Sequence, residues 1–511
     1  MRGVHSGWSR TVYEFSHFYC SGRLEVLKKT MMAMVLLILI SKTLGFGREI
    51  ILSSLFGVSD VTDAYYTGFL ITSIVVGFVG LGVTATFIPR YHNCSDTDKN
   101  EMFSTIFWCM AALGLILTLF IWFFSDKLVT FFAPGISDVL LAISFSKIMS
   151  IGIVASFVLY IVPEFNRANG DYISQQASGV ILNIGIIFSV FLAWKYNVNV
   201  LAYGLVLVLF IRAVHAIHYA IKNGAKFNFF NSKYKKIFFE MLKASPMMFL
   251  ATTSNQVHYI IDRILLSNID GAITRLNYAY ALNMLVFSFF SLTVIHVFFS
   301  EFSKLASKYG KIELMGYLKK PFFLSVVFIL PIIIVTLLCS EKIISIIYQR
   351  GEFTQSDAES TARYWLLYTP FLFSMIFREL ISKYLIVMGE YRRLYIESSS
   401  ALIINFIATW ILVKYGLDDY AILMTGCVSI FSTIYLASSV IRYNDKMSLF
   451  PLIVSTYKII GPSLIFFPII FVNDSDSKVF FVSFLMMLAL IYVILIYIFN
   501  RSMVQTILNR S

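Results

Sequence analysis

SKTLGFGREIILSSLFGVSDVTDAYY, residues 41–66, continues the apolar run MMAMVLLILI (31–40) and opens into more apolar sequence, yet it carries Lys42, Arg48, Glu49 and Asp63. At 3.6 residues per turn, positions 42, 45, 48 and 49 share one broad helix face, so Lys42, Gly45, Arg48 and Glu49 look the same way. Gly45 and Gly47 let the backbone bend or a neighbouring helix come close. A charge turned to lipid at a helix centre costs at least about 2.5–3.5 kcal/mol, so this face is expected to line a wet cavity or a protein interface.

The remainder of the chain puts that face in a bilayer. Its 511 residues are 58% hydrophobic, 16% aromatic and 14% charged, with a mean hydropathy of +0.78. Soluble domains are only roughly 45–50% apolar. Apolar stretches of spanning length begin near residues 31, 63, 103, 141, 173, 199, 240, 277, 321, 360, 394, 419, 455 and 478. Each approaches the ~20 residues that cross hydrocarbon as a helix, whereas a β-barrel would show alternating segments of ~10 residues. The expected fold class is an all-α polytopic membrane protein with ~14 transmembrane helices.

The loops expected on one side of the membrane, together with both termini, hold 25 Lys and Arg, and those on the other side hold seven. This is the asymmetry of the positive-inside rule with both termini cytoplasmic. The net charge of +12 then reflects topology and contact with anionic phospholipids, and no nucleic-acid partner is expected. The first thirty residues read as a retained cytoplasmic tail rather than a cleavable signal, with Met31 or Met32 as alternative starts. Cys20, Cys94, Cys109, Cys339 and Cys427 are scattered without metal spacing, so neither a disulfide nor a metal site is expected. The loops are short, and GxSxG, HExxH and Walker sequences are absent.

Sliding the chain on itself by 214 residues lays 48–66 over 262–280 and matches Ile50 with Ile264, Leu52 with Leu266, Ser53 with Ser267, Gly57 with Gly271 and Tyr66 with Tyr280. Both stretches end one span and open the next, which predicts two six-helix lobes in the same orientation. The expected divisions are a basic cytoplasmic tail (1–30), an N-lobe (31–222), a cytoplasmic linker (223–239), a C-lobe (240–442), two added helices (443–499) and a cytoplasmic tail (500–511).

Nine basic residues fall within or at the ends of spans, among them Lys42, Arg48, Arg212, Lys243, Arg263, Arg378 and Lys383. Arg48 with Glu49, Asp262 with Arg263, and Arg378 with Glu379 read either as ion pairs that hold helices together or as functional charges. Lys243, Arg212 and Lys383 lie near cytoplasmic ends, where snorkelling is cheap. Pro246, Asn255 and Gln256 suggest a broken, cavity-facing seventh span.

The run at 41–66 resembles the opening of the MurJ (MviN) lipid II flippases, members of the wider group of multidrug, oligosaccharidyl-lipid and polysaccharide exporters. The likeness continues through FFAPG (131–135), IDRILLS (261–267), LNYAYAL (276–282) and IIYQRGEFTQSDAESTA (346–362). The resemblance implies two six-helix lobes around a cationic central cavity with alternating access. It also implies two C-terminal helices forming a groove for a polyprenyl tail, and undecaprenyl-diphosphate-linked glycan as cargo. Lys42 and Arg48 match basic positions of the family's first-span motif, and Asp63 matches its TDA acid. Lys42, Arg48 and Arg263 are therefore the expected substrate-binding residues, guanidinium being suited to forked phosphate contact. Glu49, Asp63 and Asp262 are the expected gating or ion-pair residues, Asp63 by pairing with a basic side chain near the outer mouth. Val75, Val76 and Leu81 stand where the family carries an arginine and an acid in the second span, and Ala281 stands where its eighth span carries an arginine. These departures leave an O-antigen or capsule repeat-unit flippase as the alternative.

A membrane glycosyltransferase or polymerase would need a large outer loop or an acidic metal-binding pair, and a drug antiporter an acidic cavity. The expected protein is a monomeric transporter of the bacterial inner membrane without a cofactor. Its coupling is open between the membrane potential, H⁺ and Na⁺, with Asp63, Glu49 or Asp262 as the acid that would take up an ion.

Overall fold

The computed structural model describes residues 6–228, 231–295, 298, 299, 302, 318–442, 459–473 and 477–501. The expected span start near residue 455, residues 1–5 and residues 502–511 lie outside the described residues. Helices occur wherever the apolar stretches fall, because only a helix satisfies its own backbone in hydrocarbon.

Seven helices form the first bundle: α1 (Ser6–Phe56), α2 (Asp60–His92), α3 (Asp96–Phe132), α4 (Val139–Ser150), α5 (Gly152–Ala168), α6 (Ile173–Lys195) and α7 (Val200–Lys222). From Ser6 on, the expected tail is the N-terminal part of the same helix that carries the first span. A second bundle holds α8 (Lys235–Leu265), α9 (Ala272–Phe290), α10 (Lys319–Tyr348), α11 (Gln355–Leu367), α12 (Thr369–Val387), α13 (Tyr391–Lys414) and α14 (Asp418–Arg442). The last two helices are α15 (Ile459–Asn473) and α16 (Lys478–Phe499). They pack on the flank of α10 through Phe323, Val335, Phe466, Phe481 and Leu488, and the Tyr492 hydroxyl donates to the Val327 carbonyl at 2.9 Å. Ten of the described helices are individually long and apolar enough to cross a bilayer, and α4 with α5, bent by 43°, make a further broken span. The chain is a multi-pass membrane protein.

One sequence expectation fails locally. Helix α8 is continuous through Pro246 rather than broken there. The break in the tenth span falls instead between α11 and α12, where Pro370 opens the second helix and its missing N–H removes no helical bond.

The 214-residue repeat is written in the backbone. Gly57 and Gly271, matched by the repeat, both adopt left-handed φ, 58° and 73°, a region glycine enters without a Cβ penalty. The matched serines also bond alike, Ser53 to the Ile50 carbonyl at 2.9 Å and Ser267 to the Ile264 carbonyl at 2.8 Å.

The bundles meet at both ends. At the end rich in basic segments, Arg90 of α2 pairs with Glu240 of α8 at 2.8 Å, and the Ser245 hydroxyl donates to the Val79 carbonyl at 2.8 Å. At the opposite end the YQRGEFTQSD signature turns at Gly351, φ 58°, and starts α11 with a Thr354–Asp357 capping box. That turn brings the Glu352 N–H onto the Ser54 carbonyl of α1 at 2.9 Å. Ser137 closes the same seam on Asp270 at 2.7 Å.

Candidate functional site

Between the two ends lies a cavity of about 440 Å³ whose walls come from α1, α2, α6 and α9. Helix α1 contributes Lys42, Gly45, Arg48 and Glu49, the four residues that the 3.6-residue period placed on one face. Among the described residues Lys42 has no carboxylate within ion-pair distance. Arg48 is one quarter exposed and pairs with Glu49, Nη2 to Oε1 at 2.5 Å and Nε to the same oxygen at 3.1 Å.

The second Glu49 oxygen accepts from the Tyr66 hydroxyl at 2.6 Å and from the Asn277 amide at 3.4 Å, and Asn277 in turn accepts from the Tyr259 hydroxyl at 3.1 Å. A polar chain thus runs from α1 through Glu49 into the second bundle. Asn183 of α6 pins the middle of α1, its amide donating to the Ser41 carbonyl at 2.8 Å. The α9 wall is neutral: Asn277, Tyr280, Ala281, Met284, Leu285 and Ser288.

The other expected site residues lie around this cavity. Asp63, at the start of α2, accepts from the Gly271 N–H at 3.1 Å, the Thr274 N–H at 2.8 Å and the Thr274 hydroxyl at 2.5 Å. Its partner is therefore the N-terminus of α9 and not the basic side chain expected. A carboxylate there satisfies orphan N–H groups and meets the positive end of the helix dipole.

Asp262 and Arg263 do not pair with each other. Asp262 is fully buried and accepts from the Tyr368 hydroxyl at 2.7 Å and the Thr425 hydroxyl at 2.6 Å. Adjacent residues on a helix point about 100° apart, so Arg263 turns away, over the rings of Tyr66 and Tyr259. In this conformation it does not line the cavity. Arg378 likewise passes over neighbouring Glu379 and grips Glu397 of α13 with two bonds, 3.0 and 2.8 Å, while Glu379 pairs with Lys383 one turn on. Asn255 and Gln256 are not among the cavity residues.

Reading the sequence missed Asn183, Asn277 and Tyr280 as cavity residues, and Tyr66 as the hydroxyl that donates to Glu49. Asn183 had a signal, being the only amide in the apolar run GVILNIGIIFSV. Tyr66 and Tyr280 had another, as a matched pair in the repeat.

The protein-family model for the lipid II flippase MurJ matches residues 52–509. Among curated proteins, the probable lipid II flippase MurJ of Buchnera aphidicola from Acyrthosiphon pisum is 29% identical over 380 residues, covering 70% of this chain and 72% of its own. The lipid II flippase MurJ of Thermosipho africanus is 26% identical over 473 residues, covering 92% and 96%. Among solved structures, an inward closed conformation of a lipid II flippase MurJ superposes with a TM-score of 0.80 at 23% identity, over 93% of this chain and all of that one. An inward-facing multidrug-resistance transporter of the MATE family gives 0.64 at 13%, over 82% of this chain and 99% of its own. The two structures share the fold, and the family-model match spans nearly the whole chain: the protein belongs to the MurJ lipid II flippase family.

Proposed function

We infer that this chain carries lipid II, an undecaprenyl-diphosphate-linked glycan, from the cytoplasmic to the outer leaflet of a bacterial inner membrane by alternating access, as a transporter and not an enzyme. The basic end of the bundles faces the cytoplasm on this reading, with both termini there. The observation that carries the reading is the cavity wall of α1, where Lys42 and Arg48 converge in a chain of this family. A diphosphate leaving water needs cations and N–H donors to replace its hydration, and these two side chains supply them. The apolar flank of α10, α15 and α16 would take the polyprenyl tail, and anionic phospholipids would meet the basic end. The O-antigen or capsule alternative is not favoured, since both curated relatives above carry the lipid II flippase name.

All three acids considered for coupling already accept hydrogen bonds, Asp63 and Glu49 from the opposite bundle and Asp262 from Tyr368 and Thr425 of its own bundle, so whichever takes up H⁺ or Na⁺ must first release donors. The test of the main reading is complementation of a bacterium depleted of its own MurJ, with expression followed by blotting. Growth is the expected result. Lysis with the protein present in the membrane would refute it.

A further inference from the structure

We propose that Arg263 is a second phosphate-binding station, screened from the cavity by the stacked pair Tyr259–Tyr280 and reached only when that stack opens. The proposal rests on the lipid II reading above. Arg263 is 3% exposed, and its Nε and Nη2 have no hydrogen-bond partner. The surrounding acids are committed elsewhere: Asp63 interacts with the guanidinium electrostatically but gives its oxygens to Gly271 and Thr274, and Asp262 serves Tyr368 and Thr425. Beyond a hydrogen bond shared with the neutral Tyr259 hydroxyl, the guanidinium meets two ring faces, Tyr259 at 5.5 Å and Tyr66 at 6.0 Å. Ring faces replace only part of the hydration of a buried guanidinium, and roughly nine-tenths of buried polar groups in folded proteins do find a partner. Orphaned donors on a buried cation point to an anionic acceptor that visits.

The way to that cation is short and closed. Tyr280 lines the cavity and lies flat on Tyr259, ring centroids 4.0 Å apart at 7°. Its hydroxyl is also without a partner. The repeat supplies the second argument. By the 214-residue register Arg263 stands where Glu49 stands in the first repeat, and Tyr280 where Tyr66 stands. Glu49 and Tyr66 are hydrogen-bonded, while Tyr259 lies between the second pair. At 1.5 Å per residue this register sets Arg263 about 10 Å farther from the basic end than Lys42, on the bundle facing Arg48. Arg48 stands at nearly that same depth on α1, so a diphosphate moving outward from Lys42 reaches Arg48 and, across the tyrosine stack, Arg263.

The test uses the full chain in liposomes with lipid II and reads binding and outward transfer separately. Arg263→Gln is expected to hold lipid II within about three-fold of wild type yet slow transfer roughly ten- to a hundred-fold, the loss of one charge-assisted phosphate contact. Arg263→Lys should recover part of the rate. Wild-type transfer by Arg263→Gln overturns the proposal, and so does a loss of binding as deep as that of Arg48→Ala, which would merge the two stations. Should Arg263→Gln not fold, Tyr280→Ala decides. Phenylglyoxal should then modify Arg263 faster than in wild type and inorganic pyrophosphate should protect it, read by mass spectrometry of the peptide. Unchanged modification, or no protection, overturns the proposal. If the wild-type chain transfers no lipid II, the proposed function itself fails; if it does and Arg263→Gln matches it, only the second station fails.

Discussion

Asp63→Asn tests how the seam away from the basic end is held shut. The carboxylate accepts three hydrogen bonds from the first turn of α9, one on Oδ2 from Gly271 and two on Oδ1 from Thr274. An asparagine keeps one acceptor oxygen, offers an NH₂ to the Gly271 N–H, and removes the charge from the helix N-terminus. Losing one buried charge-assisted bond and the dipole interaction costs the closed seam about 2–3 kcal/mol. That multiplies the open-to-closed ratio of this seam by roughly 30- to 150-fold. The assay is labelling of a Ser267→Cys probe by a membrane-impermeant maleimide, in a chain whose own cysteines are replaced. Ser267 is buried in the seam, its hydroxyl accepting from the Gly135 N–H at 3.4 Å, so faster labelling reports opening. Asp63→Lys, which sets a cation against the same N–H groups, should label faster still. Equal labelling rates in the parent and both variants would refute the capping argument.

Three further outcomes are expected. Arg48→Ala removes the one guanidinium that lines the cavity among the described residues and should abolish export while the protein stays in the membrane, as followed by lipid II accessibility at the outer surface. Gly351→Ala drives a Cβ into the Ser54 carbonyl oxygen at a φ of 58°. The left-handed conformation alone costs about 1–2 kcal/mol, so the Ser267→Cys probe should again label faster. Glu397→Ala strands Arg378, which is 4% exposed, and should destabilise the second bundle by about 3–5 kcal/mol. A lowered melting temperature in detergent checks it, and an unchanged one would mean that Arg378 finds another acceptor.

Most of the fold was legible because hydrocarbon enforces one answer at each apolar run: among the described residues, the spanning stretches fall on helices or pairs of helices. The cavity face of α1 was legible for the same reason, since four polar or small residues at helical spacing have nowhere else to go. Partner identity was not legible. Asp262 beside Arg263 and Arg378 beside Glu379 look like ion pairs in one dimension, but neighbours on a helix diverge, and the real partners, Tyr368, Thr425 and Glu397, come from helices 19 to 163 residues away. Asp63 was harder still. Its partner is a row of backbone N–H groups at the start of α9, and a backbone N–H leaves no mark in a sequence. The repeat carried a hint, since Gly271 aligns with Gly57 and marks a helix start.

The distribution of charge in the cavity bears on how cargo would leave it. Both cations come from α1, and Glu49 balances one of them, so the cavity-lining charges of Lys42, Arg48 and Glu49 sum to a single positive. The facing wall on α9 is neutral, with Ala281 where the family resemblance leads one to expect an arginine. A diphosphate headgroup brings about two negative charges, so the loaded cavity would be net negative. An interior-negative potential pushes such a charge outward with about 2.3 kcal/mol per charge per 100 mV. A more cationic cavity would hold the headgroup tighter and forfeit that push, because uniformly tight binding slows release as much as it aids capture. Concentrating the cations on one helix also means that a shift of α1 alone, freed from Asn183 and from the bonds Glu49 accepts from Tyr66 and Asn277, would carry the binding face away from the neutral wall. The polar chain from Arg48 through Glu49 to Asn277 and Tyr259 is then one contact, beside the seam bonds of Asp63 and Glu352, that must break for the bundles to part, and a diphosphate competing with Glu49 for Arg48 is the agent with the chemistry to loosen it.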